Sequence, residues 1–203
     1  MAFDPFQLAT LLSDFSGPDE DPLSEGGNWS ILNTATAEHL RLISNAVDSS
    51  GGSFAGDIWT PELFGPDCCA YATIQNVSNA QSVFCRVTTP GGFDTWEGYW
   101  LQIEGTDWGL FAVFSAIATR IGSGTGTLVA GDKYGIFARG GSLSGWHFTG
   151  GEWVQRVSAF DESHQEAGNV AFGIDRTSGF FDECYAGPVP PLSPFLPILG
   201  SGT

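Results

Sequence analysis

The run Trp96-Glu97-Gly98-Tyr99-Trp100-Leu101-Gln102-Ile103-Glu104 sorts its side chains by the period of two that an extended strand imposes. Trp96, Trp100, Gln102 and Glu104 fall on one face, and Tyr99, Leu101 and Ile103 on the other. The second set reads as core. The first sets flat indole rings beside an amide and a carboxylate, which is what a sugar needs: the C–H face of a pyranose stacks on indole while its hydroxyls take planar polar partners. These four residues are the candidate glycan contacts. A tryptophan on such a face also serves to cover a sheet edge or a subunit contact. Trp108, Trp146 and Trp153 are weaker candidates, the last two flanking a hairpin that they would simply staple.

Other chemistries find less support. His39, His147 and His164 are scattered, and no H-E-x-x-H, G-x-S-x-G or phosphate-loop string occurs. His147, between Trp146 and Phe148, reads as a packed residue and not as a general base. Gly122-Ser123-Gly124-Thr125-Gly126 is glycine-rich, but neither a lysine nor a helix start follows it, so a flexible hairpin loop is expected. Cys68, Cys69, Cys85 and Cys184 match no zinc spacing. Reduced, buried thiols are expected, with Cys69 and Cys85 the pair placed to face each other on neighbouring strands.

The elements that must position these residues are short strands. In 203 residues there are 28 Gly, 16 Phe and 7 Trp, the make-up of one large, aromatic-cored β domain joined by tight turns. Strands are expected at Trp29 to Asn33 and Leu40 to Val47. Ile58-Trp59 opens an element that Pro61 interrupts. Tyr71 to Val77 and Ser82 to Thr88 read as a hairpin. Further strands follow at Trp96 to Glu104, Trp108 to Phe114, Ile117 to Ile121, Tyr134 to Arg139, Ser142 to Phe148, Glu152 to Ala159, Val170 to Ile174 and Phe180 to Ala186. Gly150-Gly151 supplies the two φ > 0 residues of a type I′ turn, the clearest hairpin signal in the chain. One short helical stretch is expected at Pro5 to Leu12, and Ser16 to Gly27 has the composition of an exposed loop. No amphipathic helix of normal length remains, so the class is a β-sandwich or barrel.

A formal net charge of −16 repels phosphate backbones and anionic lipid surfaces, so neither nucleic acid nor membrane is expected as a partner. The start Met1-Ala2-Phe3-Asp4-Pro5-Phe6 lacks a basic n-region and an apolar h-region, which places synthesis and folding in a cytoplasm. Asn28-Trp29-Ser30 and Asn76-Val77-Ser78 are then expected to stay unglycosylated. Pro188 to Leu199 is a different material, proline-rich and apolar. It is expected to be extended and unable to pair as a central strand. Its Leu192, Phe195, Leu196, Ile198 and Leu199 need a groove on this domain or on a neighbour. The organisation is thus an N-terminal segment over 1–13, a sandwich over 14–187 and an apolar arm over 188–203.

The order of these motifs carries a resemblance. Leu12-Ser13-Asp14-Phe15, Gly27-Asn28-Trp29, Leu40-Arg41-Leu42, Gly98-Tyr99-Trp100-Leu101-Gln102-Ile103, Ala130-Gly131-Asp132-Lys133-Tyr134 and Gly179-Phe180-Phe181-Asp182-Glu183-Cys184 together resemble the concanavalin A-like lectin/glucanase superfamily. More narrowly, they resemble the laminin-G-like jelly rolls of tailed-bacteriophage virion proteins. Ser16-Gly17, after Phe15, departs from the pattern. The resemblance implies an antiparallel jelly-roll β-sandwich, a fold that hosts both lectins and glycosidases. Retaining glucanases of the superfamily carry Glu-x-Asp-x-x-Glu on one strand, and no such string occurs here. Glu97 and Glu104 lie an odd number of residues apart, so a regular strand points them to opposite faces. The resemblance also raises calcium near the paired terminal strands, where Asp14 and Asp182 offer hard oxygen donors.

The expected function is a non-enzymatic decoration protein on the head or tail of a virion, assembled with other virion proteins and with copies of itself, and meeting glycans through its outer face. The alternatives are a glycan-active hydrolase or lyase, and a free carbohydrate-binding module.

Overall fold

The computed structural model describes residues 4–32, 38–51, 54–77, 80–89, 95–175 and 180–190. The strands are β1 (Thr10–Ser13), β2 (Trp29–Ile31), β3 (Leu40–Ile43), β4 (Ala46–Ser49), β5 (Phe54–Trp59), β6 (Cys68–Asn76), β7 (Gln81–Thr88) and β8 (Glu97–Glu104). They continue as β9 (Asp107–Phe114), β10 (Ile117–Thr125), β11 (Lys133–Arg139), β12 (Ser142–Thr149), β13 (Glu152–Phe160), β14 (Asn169–Asp175) and β15 (Phe180–Pro188). Among the described residues there is no α-helix.

One sheet runs β13-β12-β11-β6-β15-β4-β3, with β1 also paired to β15, and the other runs β10-β9-β8-β7-β14-β5-β2. The two face each other as an all-β antiparallel jelly-roll sandwich. Alternation decides what each strand contributes. Tyr99, Leu101, Ile103, Trp108, Leu110 and Ala112 point inward from β8 and β9, where they join Tyr134, Ile136, Ala138, Leu143 and Val157 of the facing sheet in one buried cluster.

Several expectations change once pairing is visible. Pro5 to Leu12 is not helical: residues 5–8 form a turn and Thr10–Ser13 pair with β15. A segment too short to nucleate a helix alone gains more from a ladder. Leu40 to Val47 is two strands, because Ser44 and Asn45 take φ of 53° and 62° and fold β3 back onto β4. Ile58-Trp59 ends a strand, β5, and does not begin one. The β6–β7 hairpin does not form. β6 pairs β11 and β15 while β7 pairs β14 and β8, so the chain crosses between sheets at that point, and alternation alone does not say on which sheet the next strand lands. The Gly150-Gly151 hairpin between β12 and β13 does form, with φ of 61° and 87°.

The glycines at 122 and 124 are strand residues of β10, not a flexible loop. β10 edges one sheet and β13 edges the other, and here their backbones meet. A Cβ on Gly122 would lie 3.0 Å from the Ser158 oxygen, and one on Gly124 would run into the Arg156 carbonyl. Glycine is what lets the two edges close. Gly124→Ala is therefore expected to cost about 3 kcal/mol in urea unfolding by forcing the edges apart; an unchanged midpoint would show that the contact is not needed.

All four cysteines are buried and unpaired. Cys68 and Cys85 lie in the core between the sheets, while Cys69 faces the opposite side of β6 with Phe6, Tyr71, Phe137 and Val189. The thiol that meets Cys85 is therefore Cys68 and not Cys69. At the chain ends, Phe6 packs 4.3 Å from Trp153 and 5.2 Å from Tyr71. Pro188 closes β15 opposite Cys68, and Val189 is buried. Leu192, Phe195, Leu196, Ile198 and Leu199 lie outside the described residues.

Candidate functional site

The outer face of the seven-stranded sheet carries an aromatic cluster. Leu32, Ile58, Phe84, Val87, Trp96, Val113 and Ala171 form its buried part, and the half-buried Phe54, Trp100 and Phe111 pack on it. Trp100 stacks on Phe84 with centroids 5.6 Å apart at 18°, with Phe54 at 5.8 Å and Phe111 at 4.9 Å. Its Nε1 is buried without an acceptor, so what Trp100 presents to solvent is ring carbon. The rings lie against backbone: a Cβ on Gly109 would come 2.6 Å from the Phe111 ring, and one on Gly173 would come 2.6 Å from that of Phe54.

Of the four candidate contacts, Trp100 and Gln102 are half-buried on this face and Glu104 is exposed at the end of β8. Trp96 is different. It is 5% exposed and meets Phe84 edge-on at 5.2 Å, so it supports the cluster from within and is not presented to a ligand. The sequence reading missed Arg120, whose guanidinium lies 5.7 Å from the Phe111 centroid and bonds the Asp107 carboxylate at 2.6 Å. Only the pairing of Arg120 with Phe111 across β9 and β10 reveals that neighbour.

A second feature was not expected at all. At the rim of the sandwich, a cavity of about 380 Å³ is lined by Arg86, Thr88, Glu97, Glu162, Ser163, His164, Gln165 and Glu166. A β-bulge builds its floor. Arg86 sits in β7 at φ 54°, opposite Gly98 at φ 143°, where a Cβ would approach the Arg86 oxygen to 2.8 Å. The bulge turns the Arg86 side chain inward. There it is 1% exposed and donates to three carbonyls: Nε to Pro66 at 2.5 Å, Nη1 to His164 at 2.7 Å and Nη2 to Gly140 at 2.9 Å. The loop after β13 is pinned from the other side. The Tyr99 hydroxyl donates to Asp161 Oδ1 at 2.9 Å and accepts the His164 N–H at 3.1 Å, while Asp161 also accepts the Ser163 N–H at 2.9 Å. Against the upward push of burial, the Ser163 hydroxyl and N–H and the Tyr99 hydroxyl hold the Asp161 carboxyl below its ordinary range, whereas burial pulls the His164 imidazole down against the nearby Glu97 and Asp161.

His147 is packed, as expected. It is 1% exposed, its Nε2 bonds Asp132 at 2.7 Å, and its Nδ1 faces the Arg156 guanidinium at 3.1 Å. Asp14 and Asp182 come near enough to repel: Asp182 is raised by burial and by the charges of Glu183 and Asp14. Asp14 is already engaged by the Ser16 N–H and hydroxyl, which hold it low. Two carboxylates are few where Ca²⁺ takes roughly six to eight oxygens. Among the described residues no group of three or more acids, histidines or cysteines is placed to hold a metal.

Comparison with known proteins places the architecture. No protein-family model matches the chain, and no curated protein does. Solved structures do. The carbohydrate-binding module CBM66 from Bacillus subtilis superposes with a TM-score of 0.57 at 11% identity, covering 83% of this chain and 97% of its own. A protein of unknown function with a galectin-like fold, also from Bacillus subtilis, gives 0.61 at 8% identity, with 90% and 98% covered. The fold is the galectin-like, concanavalin A-like jelly roll. The exoplasmic/lumenal domain of VIP36, solved with Ca²⁺ and Man3GlcNAc, shares it at a TM-score of 0.61 and 8% identity over 82% of this chain and 86% of its own. Other structures with this fold include a β-1,3-1,4-glucanase from a mouse hindgut metagenome. Binding modules and hydrolases alike use this lectin-like fold, so function has to be argued from the sites.

Proposed function

We propose that the chain is a non-catalytic carbohydrate-binding protein whose contact surface is the aromatic outer face around Trp100. One observation carries the reading: Trp100, Phe54 and Phe111 share that face as half-buried rings, with the Gln102 amide on the same side of β8. Rings offering carbon, beside a planar polar group, suit a pyranose. On a glycan array the wild type is expected to retain a defined sugar set and Trp100→Ala to lose at least about tenfold in affinity, or about 1.4 kcal/mol. Equal retention by the variant would take the site away from Trp100.

A second reading, a glycan-active enzyme, is favoured by the rim cavity. Glu97 of β8 and Glu162 and Glu166 from the loop after β13 line that cavity together. Release of reducing ends from the polysaccharides that bind would establish that reading in place of the first.

The setting we propose is the surface of a tailed-phage particle, head or tail, with other virion proteins and further copies of this chain as partners and the virion as its location. Two features support it: the resemblance in motif order, and an apolar segment from Leu192 to Leu199 on a body of net charge −16. Such a segment needs an acceptor groove, and symmetric assemblies provide one per copy. Because Pro188 and Val189 already belong to the sandwich, the informative truncation ends at Pro190. In sedimentation, the full chain is expected to run as an oligomer and the truncated chain as a folded monomer; an unchanged oligomer would remove the segment from assembly.

A further inference from the structure

We propose that Cys68 and Cys85 are a redox pair that closes into a disulfide joining the two sheets of the sandwich. The pair is independent of what the Trp100 face binds.

Three contacts bring the two segments together. The Cys85 thiol donates to the Cys68 sulfur, the Arg86 N–H donates to the same sulfur, and Arg86 Nε donates to the Pro66 carbonyl at 2.5 Å. Cys68 opens β6 in one sheet, and Cys85 and Arg86 lie in β7 of the other. The approach is therefore between sheets, at the bulge where β7 slips its register with β8. Both thiols are 0% exposed and belong to the central core cluster. A disulfide suits such a place, because it leaves no S–H to satisfy among apolar neighbours.

The two sulfurs are not equivalent. The hydrogen bond from Cys85, helped by the charge and the N–H of Arg86, holds the Cys68 thiol below its ordinary range against the push of burial. Burial, and then that same hydrogen bond, pushes Cys85 up. Cys68 is thus the nucleophile, and Cys85 keeps the shared proton. The other thiols are placed differently. Cys69 faces the opposite side of β6 and donates to the Gly187 carbonyl at 3.5 Å, and burial pushes both Cys69 and Cys184 up.

With glutathione disulfide as the oxidant, the Cys68 thiolate attacks one of its sulfurs, the S–S bond of the oxidant breaks and one glutathione leaves. Cys85 then attacks the mixed disulfide at the Cys68 sulfur and releases the second. The cysteines give up two electrons and two protons, and the oxidant becomes two thiols. Because both sulfurs are buried, exchange takes place during folding or through local opening.

The test equilibrates the full chain with oxidised and reduced glutathione, with and without a cycle of unfolding and refolding, then alkylates and maps it by mass spectrometry. The four free thiols are expected to fall to two, with one cross-linked peptide holding Cys68 and Cys85. The bridged chain should melt higher by about 8 °C, and dithiothreitol should reverse the shift. Cys85→Ala should keep its three thiols in the same buffer. Cys69→Ala, Cys184→Ala should still lose both of its thiols, so the result does not hang on how the Cys85 variant folds. Four thiols surviving the refolding cycle, a bridge to Cys69 or Cys184, or a bridged chain that melts no higher than the reduced one would overturn the pairing.

Discussion

Arg86→Met is expected to lower the free energy of unfolding by about 4 kcal/mol, the cost of breaking a buried, hydrogen-bonded charge site from one side. The number follows from what is left behind. Methionine fills much of the volume, but the carbonyls of Pro66, Gly140 and His164 lose donors that reach them at 2.5 to 2.9 Å. A hydrogen bond from a charged donor contributes roughly 1.5–3 kcal/mol. Arg86 also sits at φ 54°, a conformation worth on the order of 1 kcal/mol of strain, which the three hydrogen bonds offset in the native protein. For a chain of this length the loss corresponds to a fall in Tm of about 10 °C. Lysine should not rescue, because one ammonium cannot span three carbonyls set around a guanidinium fork. A calorimetric Tm within about 2 °C of wild type would mean that the bulge holds the rim by itself.

The second large effect depends on pH. Asp57 is 0% exposed in β5, faces inward, and has one carboxylate oxygen, Oδ1, on the Leu40 N–H at 3.4 Å while Oδ2 has no partner. Burial pushes its carboxyl up from 3.8 to about 7, against the opposing pull of that N–H and of His39. The direction of the effect is fixed by where the proton binds. Between pH 4 and pH 7 the folded chain holds a proton on Asp57 that the unfolded chain has released, so stability from this group is complete below the unfolded value and is lost as pH rises through about 7. The ionised form at pH 8 carries on the order of 4 kcal/mol of unfavourable free energy. Asp57→Asn removes the charge but leaves an amide N–H₂ where Oδ2 stood, so a gain of about 2 kcal/mol is expected at pH 8. No gain is expected near pH 4, where aspartic acid and asparagine are both neutral. Urea titrations of the two proteins at both pH values check this; curves that stay parallel across that range would mean that Asp57 titrates normally.

Much of the architecture was legible because alternation is a local signal. The split of β8 into Tyr99, Leu101 and Ile103 inside and Trp100 and Gln102 outside needed only the period of two, and the Gly150-Gly151 turn needed only two residues free to take positive φ. What was not legible depends on partners far away in the chain. Trp96 has the right parity for the outer face, but Phe84 packs edge-on against it, and nothing near residue 96 announces that. Along the strand Glu97 has Glu104 for comparison, whereas in the structure it lines the rim cavity with Glu162 and Glu166. The bulge at Arg86 has no local signature, because arginine is an unusual choice at positive φ; only the opposing Gly98, read after pairing, explains how it fits. Gly122 and Gly124 were misread for the same reason: glycine marks a turn or a close approach equally well, and the backbone it admits belongs to β13.

A crystal structure of the chain with an oligosaccharide selected on the array tests the central claim most directly. The account predicts a pyranose lying against the exposed carbon of the Trp100 indole, within reach of Gln102, with every glycosidic bond intact. A sugar seated elsewhere with the Trp100 face bare, or a cleaved product in its place, would contradict it.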